Sequence, residues 1–518
     1  MTFQSQFVPL SIEELPALAV RCKDDGWRFV QMLAVAVEDG VNLVYSFMKD
    51  GVLVNHEIAS VKPEDNVPSI TDTFLAAFVF ENEAHDLFGV QIDNIAIDFG
   101  GHFYAVSQTS PMTVISPAQK EAREGEEACR RQGGQGGQGG EGRQRGQDSG
   151  RGGCRAGGQA SGHGPREGGE SARGHGRQGR EGGREGGLSD MGKQTIIPFG
   201  PQHPVLPEPL HLDLVVEDEK VIEAIPQIGF VHRGLEKLVE TRDYQQFVYV
   251  AERICGICAF GHSMGYAETV ERLMGVEVPE RAQYLRVIWH ELSRIHSHIL
   301  WLGLAADAFG YESLFMHCWR LRERVLDIFQ KTCGGRVILS VVKVGGVVRD
   351  IDVAQLKRIL DVLEGLRAEY EQICRAFLKD TSVKNRTVGV GYISTEDALG
   401  LSMVGPFARA SNVDYDVRSL GIGAYGQLSD FQPIVSSDGD CYARMEVRTR
   451  EVVQSIEIIK EMILRMPQGP IAVDVKGAPA DGAESSMVVE QPRGECYYYA
   501  RGNGTKYLDR MRMRTPTS

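Results

Sequence analysis

The segment LRVIWHELSRIHSHILWL, residues 285–302, indicates the architecture of the larger part of this chain of 518 residues. Its large apolar residues recur at spacings of three and four positions, which places them on one face of a helix. The same spacing recurs over residues 356–377 and again over residues 452–466. Several long amphipathic helices joined by short loops indicate a helical bundle, in which functional sites lie between facing helices. The sequence therefore predicts a mainly α-helical bundle domain over residues 193–518.

Strand-like patterns precede these helices along the chain. Residues 209–228 contain two apolar runs around a charged turn, which predicts a β-hairpin layer for the helical domain. Residues 1–115 contain three runs rich in β-branched and aromatic side chains, separated by Asp-Gly turn signals. A helix-like stretch over residues 70–87 follows these runs and ends before Gly89. The predicted fold class is therefore α+β, with a small N-terminal α+β domain before the helical one.

Between the two domains, residues 118–192 have the composition of a disordered Gly/Arg-rich linker. Residues 131–190 contain 24 of the chain's 60 glycines and ten arginines, with Leu188 as the one large apolar residue. Such a segment cannot bury a core, so we interpret it as a flexible tether. A nucleic-acid-binding tail is the weaker alternative, because acidic residues interrupt the segment and no aromatic residues interleave. A frame error in the gene is a third explanation, since shifted GC-rich codons yield arginine without lysine.

Composition and charge exclude several classes of protein. A net charge of −14 argues against nucleic acid as the main partner, because binding a phosphate backbone requires a basic face. No apolar run reaches the roughly 18 residues of a membrane span, and the N-terminus lacks the pattern of a signal peptide. Ten cysteines are too few for a disulfide framework. We therefore expect a cytoplasmic chain that is peripheral on the inner face of the cell membrane through partner subunits.

The sharpest chemical signal is the hexapeptide Arg253-Ile254-Cys255-Gly256-Ile257-Cys258. Two thiols separated by two residues can turn toward one metal, and thiolates suit zinc, iron–sulfur clusters and nickel–iron centres. A structural zinc site needs a second such pair or two histidines, and a thioredoxin-like redox motif needs a βαβ setting. The sequence offers neither of these. A metal site and a pair of packed small residues remain the two interpretations.

The segments on either side of this pair carry a family resemblance. Gly200-Pro201-Gln202-His203-Pro204 and His232-Arg233-Gly234-Leu235-Glu236-Lys237 precede the cysteines, and Phe260-Gly261-His262-Ser263-Met264-Gly265-Tyr266 follows them. In this order they resemble the large, catalytic subunit of group 4 energy-converting membrane-bound NiFe hydrogenases, the Ech and formate hydrogenlyase type. That family is homologous to the 49 kDa subunit of complex I. The stretch from Glu81 to Val90 resembles the signature of the complex I 30 kDa subunit, which implies a fusion of the two modules.

The resemblance implies roles for individual residues of this sequence. Cys255 would be a terminal thiolate ligand of nickel, and Cys258 would bridge nickel to an iron. Glu236 would relay protons to the metal, with its carboxyl pKa raised toward neutrality by burial. Arg233 belongs to the same motif and is assigned to the catalytic site with it. A salt bridge from Glu236 to Arg233 or Lys237 on a helix surface is the alternative interpretation.

Three further residues complete the predicted site. His203 lies in a loop that, in the family, faces the quinone or the nickel–iron pocket. His262 would hydrogen-bond near a bridging sulfur, with a core histidine as the equal alternative. Arg349 would contact the iron–sulfur partner subunit. The histidines of residues 290–298 include pairs that point to different faces of their helix, so we interpret them as polar packing or as part of a proton path.

The metal site that the resemblance implies is incomplete in this sequence. A nickel–iron centre needs four thiolates, and the family supplies the second pair from an Asp-Pro-Cys-x-x-Cys motif at its extreme C-terminus. This chain ends at Ser518 without that motif, and Cys496 stands alone and is interpreted as packing. No closing helix or strand is visible at residues 510–514. We therefore expect the sequence to be truncated.

Three functions follow from the sequence. The first is the catalytic subunit of an energy-converting hydrogenase, which interconverts protons and hydrogen with electrons from iron–sulfur clusters. The second is a complex I-type NADH:quinone oxidoreductase subunit that forms the quinone pocket, although such a pocket needs no paired thiolates. The third is an inactive docking scaffold, if the truncation is real. No Gly-x-Gly-x-x-Gly follows a strand, so no NAD site of the chain's own is visible.

The expected partners carry what this chain lacks. They are an iron–sulfur small subunit with a 4Fe-4S cluster, a ferredoxin-like subunit and ion-translocating membrane subunits. The expected substrate is protons or hydrogen, and the resident cofactor is a nickel–iron centre.

Overall fold

The computed structural model describes residues 3–99, 103, 104, 112, 194–203, 206 and 209–516. The predicted disordered linker, residues 118–192, lies outside the described residues. By compactness, residues 194–198 and 213–225 belong to one unit, and the other described residues belong to a second, larger unit.

The N-terminal domain is a four-stranded sheet with two helices. Its strands are β1 (Gln4–Pro9), β2 (Arg28–Val37), β3 (Gly40–Lys49) and β4 (Val52–Val61), in the order β1-β4-β3-β2. Strand β1 runs parallel to β4, and the other pairs are antiparallel. The helices are α1 (Leu15–Asp24) and α2 (Ala77–Phe88), and two short strands, β5 (Asn66–Pro68) and β6 (Gln91–Asp93), pair beside them. The predicted α+β character of this region is confirmed.

Local residue chemistry explains the turns of this domain. Asp50 and Gly51 both have positive φ, the backbone that a two-residue hairpin turn requires. Helix α2 ends as predicted at Gly89, which adopts the left-handed conformation. The predicted start at residue 70 is wrong, since the helix begins at Ala77. The Glu81 side chain binds the N–H of Ile70 at 3.0 Å, which fixes that residue in a turn against the helix.

The predicted β-hairpin is confirmed. Strands β7 (Thr195–Phe199), β8 (His211–Glu217) and β9 (Lys220–Gln227) form a three-stranded sheet in that order. Asp218 and Glu219 make the turn between β8 and β9 with positive φ.

The helical domain contains the three long helices that the sequence predicts. Its helices are α3 (Leu235–Leu238), α4 (Phe247–Ala251), α5 (Ala259–Met274), α6 (Glu280–Ala308), α7 (Glu312–Cys333), α8 (Val353–Lys379), α9 (Thr381–Thr387), α10 (Thr395–Gly400), α11 (Gly405–Arg409) and α12 (Cys441–Leu464). A two-stranded hairpin, β10 (Val342–Lys343) and β11 (Gly346–Val347), joins α7 to α8. The predicted helical segments at 285–302, 356–377 and 452–466 lie in α6, α8 and at the end of α12.

Helix α6 is the centre of this domain. It packs along α7 and α12, and Trp289 is fully buried in the main core. Side-chain caps fix the helix starts around it. Asp352 and Gln355 form a reciprocal capping box at α8, and Asp440 accepts the N–H of Ala443 at α12.

A C-terminal sheet connects the helices to the N-terminal domain. Its strands are β12 (Glu484–Gln491), β13 (Gly494–Gly502) and β14 (Leu508–Arg514), all antiparallel. The expectation that no strand closes the described chain is therefore wrong, because residues 508–514 pair with β13. The basic side chains of β14 are buried against carboxylates, although in the sequence alone they resemble a charged tail.

The N-terminal sheet is buried on both faces, which explains its long apolar runs. One face covers α1 and α2, and the other forms a joint core with the C-terminal sheet. Polar groups cross this joint core as well. The Tyr497 hydroxyl donates to Asn55 at 3.1 Å, and the Asn55 amide donates to Ser486 at 3.0 Å.

Candidate functional site

The paired cysteines lie in the loop that enters α5. A short turn ending at Ile254 leads into Cys255, whose backbone is extended, and α5 begins one residue after Cys258. The backbone N–H groups of Ile257 and Cys258 each point at the Cys255 Sγ atom from 3.4 Å. Backbone N–H groups at a helix start have no partners within the helix, so this loop offers two donors to a sulfur anion.

The two thiols differ in their readiness to ionise. The hydrogen bond from the Cys258 thiol, the two backbone donors and the charge of Arg493 outweigh burial and lower the pKa of Cys255 to about 6. The same thiol–thiol hydrogen bond, together with burial, raises the pKa of Cys258 well above its ordinary value. At neutral pH the pair therefore holds one proton, with Cys255 as the thiolate. A thiolate is the form that binds soft metals and attacks sulfur.

Two charged residues fix the position of this loop. The Arg233 guanidinium donates to the carbonyl oxygens of Arg253 at 2.8 Å and Ile254 at 3.2 Å. The buried carboxylate of Glu252 accepts the backbone N–H and the hydroxyl of Ser340, each at 2.9 Å. The structure thus brings Arg233 to the cysteine loop, where it acts on the backbone rather than on the sulfur atoms.

His262 lies one helical turn after Cys258 and is fully buried. Its Nδ1 atom lies 2.9 Å from the Tyr498 hydroxyl, and its Nε2 atom has no hydrogen-bond partner among the described residues. Burial lowers the pKa of this imidazole to about 4, so it is neutral at physiological pH. Its proposed role beside a bridging sulfur stays a prediction.

Two glycines allow the C-terminal sheet to approach α5. A Cβ atom on Gly261 would lie 2.2 Å from the Gln491 side chain, and one on Gly265 would lie 2.2 Å from the Tyr498 ring. A larger residue at Gly265 would displace the Tyr498 ring, and one at Gly261 would displace the end of the Gln491 side chain. These contacts place Tyr498 against His262 and therefore beside the cysteine loop.

Glu236 lies in an environment opposite to the predicted one. Its carboxylate accepts Arg510 at 2.7 Å and the N–H of Met513 at 2.9 Å, and Arg512 lies 3.6 Å away. Burial alone would raise the pKa of Glu236, but these guanidinium groups outweigh burial and lower the pKa to about 2. The expected raised pKa is therefore wrong. The alternative partners are wrong as well, because Lys237 pairs with Glu240 at 2.8 Å.

The other two predicted residues lie on other segments of the chain. The ring of His203 packs on Phe199, with ring centroids 4.2 Å apart, in the loop after β7. Arg349 is exposed, and its guanidinium lies against Gly334 at the end of α7. Their assignments to a catalytic pocket and to a partner contact stay predictions.

The described residues fit half of the implied metal centre. No cluster of three or more His, Cys, Asp or Glu side chains within them could hold a metal ion. Cys255 and Cys258 suit a soft metal by their chemistry, but a nickel–iron centre requires four thiolates. Cys496 is buried, and its Sγ donates to the carbonyl of Arg514 at 3.0 Å, which agrees with its interpretation as a packing residue.

Sequence reasoning missed two residues beside the cysteines, Arg493 and Tyr498. Arg493 helps to lower the pKa of Cys255, and Tyr498 contacts His262. Both lie on the β12–β13 hairpin, more than 230 residues from the cysteine loop. The signal that could have found them is the Pro492-Arg493-Gly494 turn before a run of three tyrosines.

Three family models match this chain. Residues 8–96 match the respiratory-chain NADH dehydrogenase 30 Kd subunit, residues 233–305 match nickel-dependent hydrogenase, and residues 308–481 match the respiratory-chain NADH dehydrogenase 49 Kd subunit. The membrane-bound hydrogenase subunit alpha of Pyrococcus furiosus is 37% identical over 341 residues, which cover 62% of this chain and 79% of that protein. The chain belongs to the family of complex I 49 kDa subunits and membrane-bound hydrogenase large subunits.

Relatives within this 49 kDa-type family are named for different reactions. An NADH-quinone oxidoreductase subunit of Koribacter versatilis is 33% identical over 355 residues, which cover 63% of this chain and 88% of that protein. The solved structure of the membrane-bound sulfane sulfur reductase, an archaeal respiratory membrane complex, contains a chain that is 29% identical. It has a TM-score of 0.60, and the match covers 63% of this chain and 89% of that chain.

These comparisons confirm the predicted fusion of a 30 kDa-type domain with a 49 kDa-type large subunit. They also establish the oxidoreductase class, in the form of a subunit of an energy-converting complex. Among the described residues, the helices are too short or too polar to cross a bilayer.

Proposed function

We propose that this chain is the nickel–iron catalytic subunit of an energy-converting hydrogenase. The Cys255–Cys258 loop carries the proposal, because a thiolate and a thiol in hydrogen-bond contact are suited to bind one soft metal. The match of residues 233–305 to nickel-dependent hydrogenase supports it. The second thiolate pair is not among the described residues, so only half of the ligand set is assigned.

The residues around the loop have distinct parts in this proposal. A nickel–iron centre, when bound, supplies the redox chemistry of hydrogen turnover. Cys255 and Cys258 bind it, and Arg233 fixes the loop that carries them. Neutral His262 donates or accepts a hydrogen bond through Nε2 without adding charge. Glu236 carries a proton only after it leaves Arg510, because in that ion pair its carboxylate is ionised.

The proposed complex supplies what the chain lacks. An iron–sulfur small subunit with a 4Fe-4S cluster passes electrons to the site, and a ferredoxin-like subunit or a formate branch delivers them. Ion-translocating subunits attach the chain to the inner face of the membrane. The homologues from membrane-bound respiratory complexes support this placement.

Metal analysis of the intact complex tests the proposal. We expect nickel and iron bound to the purified complex, and hydrogen evolution from reduced viologen. Cys255→Ser and Cys258→Ser should each abolish both properties. Cys374→Ser is the matched control, because that buried thiol of α8 lies outside the site and should leave both unchanged. A complex that contains no nickel in its active, wild-type form would refute the assignment.

Sulfane sulfur reduction is a second candidate function. This chemistry requires a thiolate beside a second thiol, and Cys255 and Cys258 supply them. A chain of the solved sulfane sulfur reductase is similar to this chain. The Cys255 thiolate would attack a sulfane sulfur and displace the rest of the sulfur chain as a thiolate. Cys258 would then displace the bound sulfur as hydrosulfide, leaving a disulfide that two electrons and two protons from the complex reduce.

The same variants separate the candidates. Polysulfide reduction without nickel that is lost in Cys255→Ser would favour the sulfur chemistry. Quinone reduction that survives both cysteine substitutions would favour the quinone-pocket function of the NADH-quinone oxidoreductase relatives. If the wild-type complex shows none of these activities, the result would favour the inactive docking scaffold.

A further inference from the structure

A cavity between α5, α6 and β12 is lined by charged groups that the proposed function does not use. Water molecules can place their centres within about 30 Å³ of this cavity, which is room for two or three waters. The ionisable groups that line it are Glu268, Arg286, His290, Arg418, Tyr425 and Glu490.

Glu490 belongs to a buried ionic cluster that contains more carboxyl groups than guanidinium groups. Every member is at most 2% exposed, and the members are Glu291, Asp416, Glu451 and Glu490 with Arg294, Arg409 and Arg418. In direct ion-pair contact, four carboxylates share three guanidinium groups, while Arg448 acts on Glu451 from beyond contact distance, so the carboxylate with the fewest contacts is the costliest to ionise. His298 adds no positive charge to the cluster, because burial lowers the pKa of its imidazole to about 4. Protonation of one carboxyl would equalise the groups that are in direct ion-pair contact.

The contacts show which carboxylate of the cluster is the least stabilised. Glu490 shares one Arg409 nitrogen, at 2.8 Å, with Asp416, which lies 3.3 Å from the same atom. Its other oxygen accepts the N–H of Val417 at 3.1 Å and no other hydrogen bond from the part of the chain that the structure describes. Burial and the charge of Asp416 raise the pKa of Glu490 to about 7, against the opposing charges of Arg409, Arg294 and Arg418.

Its three partner carboxyls in the cluster are ionised. The surrounding guanidinium groups outweigh burial and lower the pKa values of Glu291, Asp416 and Glu451.

A second carboxyl on the cavity, Glu268, has no ion-pair partner among the described residues. The two terminal nitrogens of Arg286 bind Glu271, at 2.9 and 2.6 Å. Glu268 is therefore left without a guanidinium partner, and its Oε2 atom has no hydrogen-bond partner among the described residues. Burial and the charge of Glu271 raise the pKa of Glu268 to about 7, against the charge of Arg286.

His290 lines the same cavity and presents a hydrogen-bond acceptor. The Tyr425 hydroxyl donates to Glu291 at 2.5 Å, so it accepts the proton on His290 Nδ1, 2.9 Å away. This contact assigns the lone pair to Nε2, which has no partner among the described residues. Burial, with the charge of Arg294, lowers the pKa of His290 to about 3, so the ring remains a neutral acceptor.

We propose that this cavity is a proton-binding site in which Glu490 and Glu268 hold protons that waters and His290 Nε2 accept in hydrogen bonds. A protonated Glu490 needs an acceptor for its hydroxyl, since both of its oxygens already accept a hydrogen bond, and the cavity provides it. The inference goes beyond the proposed function, because it requires neither nickel nor a particular electron acceptor.

Strand β12 links the cavity to the cysteine loop. Gln491 follows Glu490 on β12, and its amide lies 3.4 Å from the Tyr498 hydroxyl that contacts His262. This chain of contacts links the strand that carries Glu490 to the histidine beside the cysteine loop.

Isosteric substitutions in the full-length chain test the proposal. Glutamine mimics a protonated carboxyl, so Glu490→Gln should leave the melting temperature at about pH 6 within ~2 °C of the wild type. Glu451→Gln is the matched control, because it removes a true anion from the same cluster and should lower the melting temperature by roughly 5–10 °C. Glu268→Gln should behave like Glu490→Gln.

The pH dependence has a defined sign. A carboxyl whose pKa is raised by folding favours the folded state at low pH, and its contribution declines as pH rises from 4.5 to about 7. Glu490→Gln should therefore lose less stability than the wild type between pH 5 and pH 8. Infrared spectra should show carboxylic acid carbonyl bands in the wild type, and each glutamine variant should lack one of them.

Two results would overturn the proposal. The first is a Glu490→Gln variant that is as unstable as Glu451→Gln at pH 6, with every acid band retained. The second is stabilisation of the wild type by sodium chloride but not by choline chloride, which would assign the balancing charge to a cation. The infrared result stands even if Glu451→Gln fails to fold.

Discussion

Replacement of Glu495 by glutamine removes the charge that joins the N-terminal domain to the C-terminal sheet. Glu495 lies on β13 and is fully buried. Its carboxylate accepts Arg28 of β2 at 2.6 Å, Arg514 of β14 at 2.5 Å and the Tyr415 hydroxyl at 2.6 Å. The variant keeps the shape of the side chain but leaves two buried guanidinium groups without their shared anion.

The pKa of Glu495 gives the size of the effect. Burial would raise this pKa, but Arg28 and Arg514 outweigh burial and lower it from 4.5 to about 2. A difference of that size between the folded and unfolded chains corresponds to about 3 kcal/mol of stability. Because the folded pKa is the lower one, this contribution is complete above pH 4.5 and is lost as the pH falls toward 2. The variant should lose at least about 3 kcal/mol at pH 7.

Urea unfolding of the full-length chain at pH 7 measures the loss. Glu323→Gln is the control, because its ion pair with Arg336 lies on the surface with side chains 53% and 36% exposed. That substitution should change the free energy of unfolding by less than about 0.5 kcal/mol. A loss below about 1 kcal/mol for Glu495→Gln, or a loss that persists unchanged at pH 3, would contradict the reasoning.

Three further predictions concern the site. Gly265→Ala should cost roughly 2 kcal/mol in thermal denaturation because its Cβ would overlap a tyrosine ring, whereas Gly400→Ala, in open space, should cost nothing. Alkylation of Cys255, followed by mass spectrometry, should have a midpoint near pH 6, whereas Cys374, whose pKa burial raises to about 12, should resist. A midpoint above about pH 8 for Cys255 would refute the assigned thiolate. Glu236→Gln should destabilise the chain by about 3 kcal/mol at pH 7 in urea unfolding. Because the pKa of Glu236 is lowered, this difference should vanish toward pH 2, and a difference independent of pH would exclude the ion pair as its cause.

Local patterns in the sequence are sufficient to predict the helices and turns. The apolar spacing of residues 285–302 identifies α6, because one face of that helix is buried against α7 and α12. Asp50-Gly51 identifies a hairpin turn, since few other residues adopt its backbone conformation. The cysteine loop is equally predictable, because both thiols and the backbone donors to Cys255 lie within four residues.

Long-range charge pairing cannot be predicted from such local patterns. Arg510, Arg512 and Arg514 alternate with a period of two, which is a strand pattern, yet their charge suggests an exposed end. Their partners, Glu236, Glu83 and Glu495, lie on other elements of the chain, so no local window contains both members of a pair. For this reason the predicted direction of the Glu236 pKa shift is wrong.

The joint core between the N-terminal and C-terminal sheets has a consequence for how the molecule assembles. Asn55, Ser486 and Tyr497 exchange hydrogen bonds inside that core, so separation of the sheets breaks these bonds and exposes the apolar side chains around them. Because both sheets belong to one polypeptide, their docking is a first-order process whose equilibrium does not depend on protein concentration. Every copy of the large subunit is therefore synthesised with its own 30 kDa-type domain, in a fixed one-to-one ratio, and dilution cannot separate them.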